Sequence, residues 1–322
     1  MNILEVKNLN MSYETLEGSV AAVKDVTFSL KEGESFGIVG ESGCGKTSVA
    51  MSLLQLQADN GKITSGEIIF DGKDIVKLNE KELRDVRWSG ISIVFQGAMN
   101  SWNPVVKIGE QIREAIREHY PDKTKEENTD KINELFNIVG LDSSIADRYP
   151  HELSGGMKQR AVIALALSCD PKLIIADEPT TALDVVIQDQ ILNEIRKVQD
   201  ILGLSLIYIS HDIAVIAEMT DNMAVMYAGR IVEKGPTKEV FENPRHSYTQ
   251  SLLASTPSVV GDKIKLKSLD GEPPSLINEQ IGCSFAPRCP NKNTSCNPNH
   301  NMELVEVASD HYVDICNAES SK

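Results

Sequence analysis

Gly40-Glu41-Ser42-Gly43-Cys44-Gly45-Lys46-Thr47 is the stretch from which the rest of the chain can be read. Before it, Ser35 to Val39 reads as a buried strand. After it, Val49, Ala50, Leu53 and Leu54 within Thr47 to Gln55 fall at helical spacing. The octet fits G-x-x-x-x-G-K-[ST] in the strand–loop–helix setting that this pattern needs. Glycines there let backbone N–H groups turn toward phosphate oxygens, and the start of the helix adds a favourable field. Lys46 is suited to reach β- and γ-phosphates, and the Thr47 hydroxyl to ligate Mg2+. Gly40, Glu41, Ser42, Gly43, Cys44, Gly45, Lys46, Thr47 and Ser48 are therefore the phosphate-binding candidates, Cys44 through its amide and not its thiol. A Gly-rich turn without a ligand is the competing reading, and its position between strand and helix argues against it.

Working outward, short apolar runs alternate with helical patterns, which predicts a largely parallel sheet covered by helices. Ile3 to Leu9 and Val26 to Leu30 have no helix between them, so an antiparallel β-portion is expected before the parallel core. Ile91 to Phe95, Leu173 to Ala176 and Leu204 to Ser210 read as further strands. Between the first two of these the spacing turns helical, with Ile108, Ile112 and Ile116, then Ile132, Leu135, Phe136 and Val139. An inserted helical subdomain at about 97–160 is expected, with Asp122 to Asp130 as a solvated loop. Gly, Pro, Ser and Lys around Pro257 to Pro274 mark a linker. The expected division is a domain at 1–256 and an extension at 257–322.

Leu173-Ile174-Ile175-Ala176-Asp177-Glu178 is an apolar strand that ends in two carboxylates. Alone it is a weak signal; downstream of a phosphate loop it reads as a Walker B element. Asp177 then holds the Mg2+ shell, and Glu178 orients and polarises the attacking water. An extended chain would point the two side chains to opposite sides. Leu153-Ser154-Gly155-Gly156-Met157-Lys158-Gln159-Arg160 ends 17 residues before Asp177. With its serine and two glycines it is a second helix start suited to phosphate.

This last segment resembles the LSGGQ-like signature of ATP-binding-cassette proteins. The resemblance implies an α/β fold: a P-loop nucleotide hydrolase with an antiparallel β-portion, a parallel core and a helical subdomain. It also implies a dimer, in which Ser154, Gly155, Gly156 and Gln159 act in trans on the partner's ATP. Further residues fall where the family places its elements. Tyr13 stands at the adenine-stacking position and Gln96 at the Q-loop glutamine that senses Mg2+. Ala182-Leu183-Asp184 resembles the D-loop, and His211 matches the switch histidine at the γ-phosphate.

Longer stretches resemble the D-type subunits of oligopeptide and dipeptide importers: Gly37 to Gly43, Tyr149 to Met157, Asp177 to Val185, Val225 to Gly229, Pro244 to Thr249 and Cys283 to Pro290. The implied partners are a second cassette subunit, F-type in a heterodimer, two transmembrane permeases and an external substrate-binding protein. Related importers carry oligosaccharides, which is the alternative cargo. The chain departs from the family at Gln96-Gly97-Ala98, where Gln-Asp-Pro is usual, and at Trp102, where leucine is common. A soluble cassette ATPase of repair or translation is the rival. It would carry a long coiled coil, a second cassette or a basic face, none of which is seen.

The charge balance agrees: 47 acidic against 32 basic residues give a net charge of −15, which opposes binding to a phosphate backbone and argues against nucleic acid as a main partner. The longest apolar run, Ala161 to Leu167, is far short of the ~20 residues that span a bilayer. The opening MNILEVKNLN has no secretory pattern. The expected location is the cytoplasmic face of the membrane, held there by the permeases.

Of the six cysteines, Cys283, Cys289, Cys296 and Cys316 crowd toward the C-terminus, with five, six and nineteen residues between them. Four thiolates suit a structural Zn2+ or a [4Fe–4S] cluster, and the spacing lacks the close C-x₂₋₄-C pairs of zinc sites. Iron–sulfur is favoured, with zinc as the alternative; the D-type resemblance implies the cluster as well.

Overall fold

The computed structural model describes residues 1–181, 184–255, 269–277, 282–292 and 302–314. The chain divides into two compact units, one made of Met1–Lys31, Ser35–Val76 and Tyr208–Lys322, the other of Glu32–Glu34 and Lys77–Ile207. In chain order the elements begin with β1 (Asn2–Thr15), β2 (Gly18–Lys31), β3 (Ser35–Val39), α1 (Lys46–Leu53), β4 (Gly61–Phe70) and β5 (Lys73–Asp74). Next come α2 (Glu80–Val86), β6 (Ile91–Val94), α3 (Ile108–His119), α4 (Lys125–Ile138), α5 (Gly155–Leu167), β7 (Leu173–Asp177) and α6 (Val185–Leu202). The last are β8 (Ser205–Ser210), α7 (Ile213–Met219), β9 (Asn222–Tyr227), β10 (Arg230–Pro236), α8 (Thr237–Glu242), α9 (Ser247–Ala254), β11 (Leu304–Ala308) and β12 (His311–Asp314).

In the first unit, β1 pairs antiparallel with both β2 and β4, giving the order β2-β1-β4-β5. The antiparallel portion expected from two strand-like runs without an intervening helix is present, with each strand longer than its apolar run. Inward positions alternate along β1 on either side of a register shift between Val6 and Leu9, and Leu4, Val6, Leu9 and Met11 are at most 1% exposed. A second sheet has the order β11-β12-β10-β9-β3, in which β3 and β9 are parallel and the hairpin β11–β12 adds on antiparallel to β10. All five residues of β3 are buried, the continuous apolar pattern of a strand covered on both faces. The described tail is thus built into this sheet as two strands, which the sequence reading of a cysteine-rich appendage had not anticipated.

In the second unit, β6 and β7 pair in parallel. Ile108, Ile112 and Ile116 of α3 are fully buried, one stripe at four-residue spacing, and Ile132, Leu135 and Phe136 of α4 form another. The charged stretch Asp122 to Asp130, expected to be a loop, is helical from Lys125. The reason is a capping box: Thr124 Oγ1 accepts from the Glu127 amide while the Glu127 carboxylate accepts from the Thr124 amide. The expected linker residues 257–268 and the D-loop's Ala182 and Leu183 lie outside the described residues. Among the described residues, no helix is long and apolar enough to cross a membrane.

Candidate functional site

In the first unit, β3 delivers the chain into the loop at Gly40, where a Cβ would stand 2.2 Å from the Met226 carbonyl oxygen. At Gly45, with φ 105°, a Cβ would stand 2.2 Å from the Ala22 carbonyl oxygen. Only glycine fits either position, so β2 and β9 set the path of the loop. Gly45 is the N-cap of α1, and no side chain caps it. That start of the helix is left open to an acceptor from outside. The buried Lys46 ammonium donates to the Gly40 carbonyl at 2.7 Å and to the Glu41 carbonyl at 3.0 Å.

Cys44 is buried, and burial pushes its thiol pKa up, in keeping with a thiol that takes no part. Its backbone oxygen accepts from the Gly229 amide at 2.9 Å. Ser42, Gly43 and Thr47 are exposed, and the half-buried Ser48 places its hydroxyl 3.4 Å from the Tyr13 hydroxyl. Tyr13 is half-buried on β1, with its ring over Gly61, where a Cβ would stand 2.8 Å from a ring carbon. His211 is exposed just beyond β8, next to Asp212, which caps α7 by accepting from the Ala214 amide. The glycine-only cradle, the open helix start and the Lys46 ammonium fit a nucleotide phosphate, and the exposed Thr47 hydroxyl fits its Mg2+.

In the second unit, Asp177 ends β7 at 2% exposure. The chain does not continue extended beyond it: Glu178 has φ 46°, a left-handed conformation that is strained for a side-chain-bearing residue. The two carboxylates are separated by this turn and not, as expected from the sequence, by strand alternation. Glu178 Oε2 accepts from Gln96 Nε2 at 2.9 Å and from the Thr181 hydroxyl at 3.0 Å. Gln96 follows β6 at the surface. Gly97 adopts φ 70° and starts a short 3-10 turn, and Trp102 is buried.

Ser154 caps α5 by accepting from the Met157 amide at 3.4 Å; Ser154 and Gly155 are exposed and Gly156 is half-buried. Gln159 is 2% exposed, so its side chain is not on the surface that Ser154 offers. Asp184 caps α6 by accepting from the Ile187 amide at 3.0 Å, with Val185 and Val186 exposed behind it.

Cys283 and Cys289 are half-buried in the described C-terminal segment, and neither is in a disulfide. Cys296 and Cys316 lie outside the described residues. Among the described residues, no group of three or more His, Cys, Asp or Glu side chains is placed to hold a metal. The expected iron–sulfur or zinc site is therefore not supported by the structure. Three contributors escaped the sequence reading: Thr181 on Glu178, and Tyr248 and Arg288 on the phosphate loop. Arg288 lies inside the stretch Cys283 to Pro290, whose resemblance and cysteines assign it no role, and nothing in the spacing links position 288 to position 41.

The ABC transporter family profile matches residues 23–181, and that of the oligopeptide/dipeptide transporter C-terminal region matches residues 232–296. The dipeptide transport ATP-binding protein DppD of Bacillus subtilis is 43% identical over 297 residues, spanning 91% of this chain and 88% of that protein. The oligopeptide transport ATP-binding protein OppD of the same organism is 46% identical over 290 residues, 89% of this chain and 81% of its own. Among solved structures, a dimeric ATP-binding cassette in a post-hydrolysis state with ADP and Pi superposes with a TM-score of 0.65 at 28% identity. It covers 73% of this chain and 98% of the other.

Proposed function

The chain belongs to the ABC transporter family, and on that premise we propose that it is the ATP-hydrolysing subunit of a membrane importer of peptides. The observation that carries the hydrolytic part is Glu178, held in a strained turn with one carboxylate oxygen fixed by Gln96 and Thr181. The likeness to dipeptide and oligopeptide transport proteins over about nine-tenths of the chain favours peptide cargo over oligosaccharide.

The roles follow from the chemistry of each group. Gly40 to Ser48 present backbone amides, and the Lys46 ammonium neutralises phosphate charge. Mg2+, when bound, draws charge from the β- and γ-phosphates; Thr47, Asp177 and Gln96 are the residues that would hold it. Glu178 accepts the proton of the attacking water, and His211 contacts the γ-phosphate. Tyr13 stacks on the adenine. Ser154, Gly155 and Gly156 serve the ATP of a second cassette subunit, F-type in our reading; Gln159, 2% exposed, is left out of that surface. Two permeases and an external binding protein complete the importer, which places the chain at the cytoplasmic face of the membrane.

The same reading keeps residues 1–256 as the cassette, with its helical subdomain at about 97–160, and 257–322 as the extension. It also assigns Cys283, Cys289, Cys296 and Cys316 to a [4Fe–4S] cluster, a reading that rests on their spacing in the sequence alone. The test is reconstitution in vesicles with two permease subunits, a second cassette subunit and a substrate-binding protein of a peptide importer. ATP-dependent peptide uptake is expected. Uptake that persists when this chain carries Glu178→Gln, or no ATP hydrolysis by the wild type, would refute the proposal.

A further inference from the structure

A carboxylate within a phosphate-binding loop is an electrostatic oddity, because it repels the anion the loop is built to hold. Glu41 is such a group, and it is fastened on two sides. Its carboxylate accepts a bidentate pair from Arg288, Nη1 to Oε2 at 2.6 Å and Nη2 to Oε1 at 2.9 Å. Its amide donates to the Tyr248 hydroxyl at 2.9 Å. The Arg288 side chain is 5% exposed and that of Glu41 26%, so the pair is largely withdrawn from water and weakly screened.

Arg288 is itself locked in place. Its Nε donates to the Asp270 carbonyl at 3.0 Å, Nη1 also reaches the Tyr227 hydroxyl at 3.4 Å, and the guanidinium lies 5.9 Å from the centre of the Tyr227 ring. Phe285 packs edge-on against both Tyr227 and Tyr248, each at 5.3 Å between ring centres. The Glu41 pair raises the guanidinium pKa further above its ordinary value, so Arg288 stays charged at any working pH. The same segment also touches the loop's other support, where the Ala21 amide donates to the Leu276 carbonyl at 3.2 Å.

We propose that Arg288 is a positioning residue of the nucleotide site that acts through Glu41: it cancels the charge of that carboxylate, so that the C-terminal segment sets nucleotide affinity. This rests on the nucleotide-binding reading above. Each N–H of a bidentate Arg–carboxylate pair is charge-assisted, and the fork fixes direction as well as charge. Losing it leaves an unpaired carboxylate beside bound phosphate.

The test is titration of the purified full chain with the fluorescent nucleotide mant-ADP in the presence of Mg2+, with the KM for ATP measured in parallel. Arg288→Met should weaken binding roughly tenfold. Adding Glu41→Gln to it should restore affinity to within about twofold of wild type, because the offending charge is gone. Glu41→Gln alone, nearly isosteric, should bind as tightly as wild type or more tightly, and a large loss there overturns the proposal even if Arg288→Met does not fold. An Arg288→Met variant with wild-type affinity overturns it, as does a double variant no better than the single one. Asn291→Ala removes the same segment's bond to Ser247, at 3.1 Å, and should leave binding unchanged. A loss equal to that of Arg288→Met would assign the effect to segment packing and overturn the proposal. If the wild type does not bind mant-ADP, the nucleotide reading fails and the inference with it; a wild type that binds alongside unaffected variants removes the inference alone.

Discussion

Gln96 Nε2 donates to Glu178 Oε2 at 2.9 Å, joining a residue at the end of one buried strand to a residue at the end of the strand paired with it. The parallel register of β6 and β7, with Val94 opposite Ala176, brings the two chain ends together. The turn at Glu178 then aims its carboxylate at Gln96. A general base held this way keeps one oxygen occupied by donors and its orientation fixed.

Replacing Glu178 by Gln keeps the shape and removes the proton acceptor. Nucleotide binding should be retained while kcat falls by roughly 10²–10⁴, measured by phosphate release under saturating ATP. Undiminished turnover would remove Glu178 from its assigned role.

Thr181→Ala deletes a donor to Glu178 Oε2 at a residue assigned to neither phosphate nor metal. We expect kcat to drop about tenfold with KM unchanged, a hydrogen bond to a charged group being worth about 1.5 kcal/mol. A change in KM alone would contradict the positioning role.

At Gly45 an added methyl meets the Ala22 carbonyl at 2.2 Å on a backbone with φ 105°. Gly45→Ala should therefore weaken Mg-ATP binding by roughly thirtyfold, about 2 kcal/mol of loop strain. Gly43 also has positive φ, but a Cβ there meets nothing within 4 Å, so Gly43→Ala should cost less. Equal affinities for the two variants would show that the close approach to Ala22 is irrelevant.

Glu233 and His311, both fully buried, meet at 2.8 Å, and the Glu233 carboxylate also accepts from the Arg245 and His246 amides. His311 thus anchors β12 to β10. His311→Ala leaves a buried carboxylate one partner short and should lower unfolding stability by about 3 kcal/mol, read from urea unfolding of the full chain. A loss below about 0.5 kcal/mol, typical of a surface substitution, would show the anchor to be dispensable.

The four-cysteine assignment predicts that anaerobically purified protein is brown, with broad visible absorbance that Cys289→Ser abolishes. Stoichiometric zinc in colourless wild-type protein would refute it.

Much of this molecule was written locally. The strand before Gly40 and the helix after Lys46 follow from apolar periodicity, the phosphate loop from glycine and lysine spacing, and the carboxylates at 177 and 178 from their place at the end of an apolar strand. All of these depend on residues within a few positions of one another, so hydrophobic pattern and backbone sterics already specify them. The helix beginning at Lys125 is equally local: its Thr124–Glu127 box outweighs the charge run that points to a loop.

Long-range pairing decided the rest. The bond from Gln96 to Glu178, 82 positions apart, exists because β6 and β7 are neighbours. Arg288 reaches Glu41 across 247 positions because the aromatic cluster of Tyr227, Tyr248 and Phe285 seats the C-terminal segment against the loop. No periodicity records such a contact: an arginine beside a cysteine looks the same in sequence whether its guanidinium meets water or a carboxylate, and only packing the chain into its sheets selects between them.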